Sequence, residues 1–185
     1  MSHICVDISD PAGFVMPSWA DTVQGYIGER VPIRTPTPHI WTKAQWSDFT
    51  GKKKYPMFVG TPAVGNAGDP VTEAFECMEN LYQIGCSPGF VVGLDMETAV
   101  SPSYVTSFYN VLHAFGYRVW VYGSASSVFK NPVCNGYDVA DWTNTPHYAA
   151  GSSVRATQYA NAAMSGIGAD LRIIRPWQWR THLWS

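Results

Sequence analysis

The stretch Phe90-Val91-Val92-Gly93-Leu94-Asp95-Met96-Glu97 decides the fold. Its apolar run over residues 90–94 has the length of a buried strand, and the run ends by delivering two carboxylates. Asp95 and Glu97 lie two residues apart, so on an extended chain they share one face. Helix signals flank the strand on both sides. Asp69-Pro70 opens a helix that runs to about residue 84 and stops at Gly85. Ser101-Pro102 opens another that runs to residue 115 and stops at Gly116. Both place Pro inside the helix start and Gly just past its end. A strand between two helices is the unit of a parallel α/β sheet.

The same alternation continues outward. Strands are predicted over residues 3–8, 55–60, 118–122, 137–141, 154–159 and 170–174, with a weaker candidate over 22–27. A helix is predicted over residues 42–49, with Thr42 as N-cap and Gln45 placed for a capping box. A Ser-rich helix start follows at Ser124, and Lys52-Lys53-Lys54 reads as a solvated helix end. About eight strands suffice for a closed parallel barrel. A full eightfold barrel takes about 250 residues, and this chain has 185. Some helices must therefore be missing, and the helix signals disappear after Asp141. The expectation is a compact TIM-like (β/α) barrel without helices after the last strands. It forms a single domain over residues 1–185 with a Trp-rich tail at 176–185.

Composition narrows the function classes. Only 14% of residues are charged, against about 25% in an average soluble domain. Lys+Arg 12 against Asp+Glu 14 gives a net charge of -2, which excludes a nucleic-acid binder built on clustered cations. A chain that is 46% hydrophobic is not a disordered tail. No apolar run approaches the roughly 20 residues of a membrane span, so no membrane association is expected. The start Met1-Ser2-His3 shows no secretory signal. The chain is expected to be made in the cytoplasm and to act at the cell envelope after lysis or release.

The four cysteines, Cys5, Cys77, Cys86 and Cys134, have no metal-ligand spacing and read as core thiols, with a Cys77–Cys86 disulfide as the alternative outside a cell. The five His are scattered, so no metal and no cofactor are expected. Gly60-x4-Gly65 lacks the Lys-Ser/Thr of a P-loop.

The acids carry the chemistry. Two carboxylates on one strand face are costly unless one holds a proton, and glycoside hydrolysis requires such a pair. Asp7 and Asp141 also end predicted strands, where a barrel gathers its site, and Asp170 starts the last one. Tyr26, Tyr122, Trp142 and Tyr159 lie near strand ends as rings that stack on sugars. Asp10 and Asp69 each precede Pro and read as turn and cap residues.

Ile4-Cys5-Val6-Asp7-Ile8-Ser9, Gly93-Leu94-Asp95-Met96-Glu97, Val139-Ala140-Asp141-Trp142, and Thr157-Gln158-Tyr159 followed by Asp170-Leu171 together resemble the strands of glycoside hydrolase family 25 lysozymes. Gly25-Tyr26-Ile27-Gly28 and Trp41-Thr42-Lys43-Ala44-Gln45 look like the related DUF1906 glycoside-hydrolase-like domains. The Pro- and Thr-rich stretch over residues 30–39 departs from the lysozyme pattern. The resemblance spans residues 3–174. It implies a barrel with helices after five strands and three nearly bare strands behind them. It also implies cell-wall peptidoglycan as substrate, with Glu97 as general acid, Asp95 as assistant, and Asp7 and Asp170 as supporting carboxylates. Asp141, Trp142, Tyr122, Tyr159 and Tyr26 complete the candidate substrate contacts.

Two readings compete with the enzyme. One is a glycan-binding barrel without catalysis. The other is a structural component of a phage or secretion particle, for which the low charge and the tail of Trp177, Trp179 and Trp184 offer a protein partner contact. The tail is more simply read as folding under the barrel and closing its bottom.

Overall fold

Eight strands close into one barrel in chain order: β1 (His3–Asp7), β2 (Thr22–Glu29), β3 (Lys53–Val59), β4 (Val91–Asp95), β5 (Arg118–Ser124), β6 (Gly136–Ala140), β7 (Val154–Ala160) and β8 (Asp170–Ile174). The computed structural model describes residues 2–29, 40–60, 68–96, 101–131 and 133–185. Strands β1 to β7 pair in parallel, and β8 runs antiparallel to both β7 and β1.

The reversed eighth strand departs from the all-parallel barrel expected from sequence. Its cause is connection length. A parallel return needs a crossover of about a dozen residues or more, whereas the chain has only the short stretch from Asn161 to Ala169 between β7 and β8. That stretch holds one turn of helix, α5 (Ala162–Ser165).

Among the described residues the helices are α1 (Lys43–Ser47), α2 (Pro70–Ile84), α3 (Pro102–Ala114), α4 (Ala125–Val128), α5 and α6 (Pro176–His182). Thr42 caps α1 with the reciprocal Gln45 box, Asp69 caps α2 through the Val71 and Thr72 amides, and Ser101 caps α3. Gly85 ends α2 in the left-handed conformation at φ 87°, where a side chain would strain the turn. Ala74, Cys77, Leu81 and Ile84 of α2 are buried, at the spacing of one helical face. No helix joins β6 to β7, as the sequence implied, and the β1–β2 connection is helix-free as well.

Strand alternation makes two hydrophobic layers. Val6, Val23, Phe58, Leu94 and Val121 point outward and pack with Leu81, Phe108 and Leu112 of the helices. Cys5, Tyr55, Met57, Val91, Trp120 and Ile174 fill the barrel itself. Close packing leaves one glycine no alternative. A Cβ on Gly25 would lie 2.4 Å from the Trp41 ring, which is itself wedged against Trp46 and Phe49. Gly25→Ala is therefore expected to destabilise the protein by roughly 1–3 kcal/mol, as overpacked core sites do. A denaturant midpoint equal to wild type would refute this.

The tail closes the bottom. Helix α6 leaves β8 beneath the barrel, where Trp179 stacks on His3 with centroids 3.9 Å apart and its Nε1 donates to Thr22 Oγ1 at 2.8 Å. Leu183 is fully buried in the barrel interior. The lysine run is no helix end. Lys53 and Lys54 begin β3, and their ammonium groups sit over the Trp179 and Trp184 rings, at 5.8 and 4.8 Å. Trp177 remains 68% exposed. All four cysteines are free thiols, and Cys5, Cys77 and Cys86 are buried. Among the described residues no helix is long and apolar enough to cross a membrane.

Candidate active site at the barrel mouth

The carboxyl ends of the parallel strands and the start of β8 share one rim. Asp7 ends β1 and stands directly opposite Asp170 in the β1–β8 register. Asp95 ends β4 and is the register partner of Tyr122 on β5. Each occupies an inward position of its strand. Asp7 is 7% exposed and Asp95 9%, so both open onto the mouth from a largely desolvated wall. Tyr26 is half-buried beside them, and burial together with the nearby Asp7 and Asp95 charges pushes its phenol well above the usual range. Glu97 lies outside the described residues.

A polar network underlies this rim. Tyr122 donates its hydroxyl to Gln158 Oε1, and Gln158 Nε2 donates to Asp170 Oδ2. The Ala162 amide donates to Asp170 Oδ1 at 2.6 Å. Arg172 Nη1 donates to Asp7 Oδ2 at 2.6 Å, and its guanidinium lies 4.7 Å over the Tyr122 ring. On its other side Arg172 Nε stands 3.0 Å from Asp138 Oδ2.

Burial raises the Asp7 carboxyl to about 6, against the lowering pull of Arg172. Desolvation outweighs the ion pair, and Asp170 and Asp138 add repulsion. Asp138 is likewise pushed up by burial. For a carboxyl raised on folding, the native state binds the proton more tightly than the unfolded chain. Stability from Asp7 is thus present below about pH 4 and is lost as pH rises to about 6. Thermal melts of wild type and Asp7→Asn should diverge across that window, with the flatter profile in the variant. Parallel curves would contradict the assignment.

The remaining candidates fall elsewhere. Asp141 and Trp142 follow β6 on an exposed loop. Asp141 Oδ2 pairs with His147 Nε2 at 2.9 Å, and that bond holds the imidazole above its ordinary value. The Asp141 amide still donates to the Gln158 carbonyl at the rim, and Trp142 is 54% exposed. Tyr159 departs from its expected place at the mouth. Alternation turns it out of the barrel next to the inward Gln158, and its ring is buried in the outer layer. Among the described residues no group of three His, Cys, Asp or Glu side chains could hold a metal ion.

Arg172 and Asp138 belong to this network although no motif in the sequence marks them. Their signal was the two-residue period. In Asp170-Leu171-Arg172-Ile173-Ile174 the two polar residues stand two apart, so an inward Asp170 carries Arg172 inward with it. Asp138 stands two before Ala140 in the same way.

The chain shares its fold with several solved structures of low sequence identity. It superposes on the catalytic domain of the endolysin of Listeria monocytogenes bacteriophage P40 with a TM-score of 0.68 and 13% identity, covering 97% of this chain and 96% of that one. A Tat-secreted protein of Mycobacterium tuberculosis, solved in complex with HEPES, matches at a TM-score of 0.71 and 14% identity over 99% of both chains. The modular autolysin LytC of Streptococcus pneumoniae, in complex with a synthetic peptidoglycan ligand, matches at 0.60 and 14% identity, over 94% of this chain and 47% of that one. No family model and no curated protein matches the sequence. At these identities the likeness establishes the barrel and leaves the chemistry to the residues.

Proposed function

We propose that the protein is a glycoside hydrolase of bacterial cell-wall peptidoglycan, with Glu97 as general acid and Asp95 as its assistant. The observation that carries the reading is the convergence of Asp7, Asp95 and Asp170 on one rim of a closed barrel. Such a hydrolase needs one carboxyl that donates a proton to the leaving oxygen and others that stabilise positive charge on the sugar. The endolysin and the peptidoglycan-bound autolysin share this barrel, which supports a wall glycan as the ligand class. Asp95 lines the mouth, two residues before Glu97, so the pair is read as one catalytic unit. Asp7 and Asp170 are held from behind by Arg172, Gln158 and the Ala162 amide, which suits supporting carboxylates rather than proton donors. Tyr26 and Tyr122 would face the sugar, with Asp141 and Trp142 at the outer margin of the groove.

Release of new reducing ends from purified peptidoglycan tests the reading. Saturable binding without new ends would convert it into the glycan-binding barrel. Neither binding nor release would leave the protein-partner reading, for which exposed Trp177 is the remaining anchor on the tail.

A further inference from the structure

The interior of the barrel contains an ion cluster that no sugar contact requires. Arg172 is 1% exposed and Asp138 fully buried, both facing inward below the rim. A guanidinium removed from water is costly unless it is paired, so its presence needs a reason. Two carboxylates surround it. Asp7 lies above at 2.6 Å and Asp138 to the other side at 3.0 Å. The two bonds differ in quality. The Asp7 contact is a charge-assisted hydrogen bond, whereas neither Arg172 Nε nor either Asp138 oxygen has a well-aligned hydrogen bond.

The geometry separates the roles of the two acids. Asp7 belongs to the rim and opposes Asp170. Asp138 is shut away from the mouth, with the Tyr55 hydroxyl as its other neighbour. Arg172 also covers the Tyr122 ring, whose hydroxyl leads through Gln158 to Asp170. One cation thereby touches both arms of the rim from beneath.

We propose that Arg172 is a positioning residue of the mouth, fixing the Asp7 carboxyl and the Tyr122 ring from inside the barrel, with Asp138 as its buried counter-charge. The inference rests on the mouth being the functional site, but it does not require that the reaction be hydrolysis. Among the described residues, the charged and titratable groups facing Asp7 are Arg172, Asp170, Asp138, Tyr26 and Cys5. Arg172 is the only cation among them. With Asp138 and Asp7 both ionised the cluster would carry one surplus negative charge, so it takes up a proton as a unit. Arg172 governs how tightly Asp7 holds that proton, because an opposite charge at this range shifts a carboxyl by about 1–3 units.

The test follows the Asp7 carboxyl by carbon NMR titration in the whole chain, with the signal assigned through Asp7→Asn. Arg172→Met should move the Asp7 midpoint up by about 1–3 pH units. Asp138→Asn should move it down by a smaller amount, because a repelling charge is removed and Arg172 is left to Asp7 alone. Arg172→Lys, which cannot span both acids, should lie between wild type and Arg172→Met. An Asp7 midpoint unmoved in folded Asp138→Asn and Arg172→Lys would overturn the proposal, and so would shifts of the same sign in Asp138→Asn and Arg172→Met. Should Arg172→Met fail to fold, the other two variants decide alone. The readout needs no substrate, so failure of wall hydrolysis and failure of this inference stay distinguishable. In an active enzyme the acidic limb of the pH–rate profile should shift in the same direction as the midpoint.

Discussion

Glu97→Gln should slow wall clearing by roughly 10²- to 10⁴-fold, the usual loss when a general acid is removed. The leaving oxygen of a glycoside departs poorly as an alkoxide, so the transition state needs a proton delivered as the bond breaks. Gln keeps the size and polarity of Glu and offers no acidic proton. Binding of wall fragments should therefore persist in the variant while release of reducing ends collapses. On the proposed reading Asp95, which ends β4 at the rim, stabilises charge rather than donating a proton, so Asp95→Asn should cost less. Turbidity of a bacterial wall suspension reads both. Equal clearing by wild type and Glu97→Gln would remove the general-acid assignment.

The second large effect concerns stability. Trp120→Ala is expected to destabilise the protein by about 3–5 kcal/mol, the range for a buried Trp truncated to Ala. Trp120 is fully buried in the barrel interior, with its ring 5.3 Å from Tyr55. It is held on all sides by strands that hydrogen-bond into a closed ring, so the barrel has little freedom to collapse into the void. At this chain length that loss corresponds to a melting temperature lower by roughly 6–20 °C. Trp120→Phe should lose much less, since it keeps most of the ring and removes an indole N–H that has no partner. Thermal unfolding followed by circular dichroism checks both. A Trp120→Ala variant that melts with wild type would mean that the interior repacks.

Much of the barrel was legible because helix ends and buried strands announce themselves locally. Asp69-Pro70 with Gly85, and Ser101-Pro102, mark the bounds of α2 and α3 in the residues alone. The sense of β8 was not legible, because strand direction is set by the connection and by pairing across the sheet, which no local pattern records. The rim carboxylates Asp7, Asp95 and Asp170 could be gathered from strand ends. Their support could not, since Arg172 and Asp138 meet only when β6 and β8 face each other across the interior. Tyr159 was misplaced for a related reason. Nearness to a strand end does not fix the face, and one position along β7 separates the rim from the outer layer.

The reversed β8 also sorts the molecule into an end that carries the mouth and an end that carries both described chain ends. A parallel eighth strand would have released the chain at the rim. Running downward, β8 instead delivers the chain to the opposite side, where Trp179 of α6 packs against His3 and the Trp184 carbonyl accepts from the Lys54 amide. Both described chain ends therefore emerge on the side away from Asp7, Asp95 and Asp170. A tether, an anchoring domain or a surface coupling joined at either end would present the mouth outward, free to meet a bulky polymer.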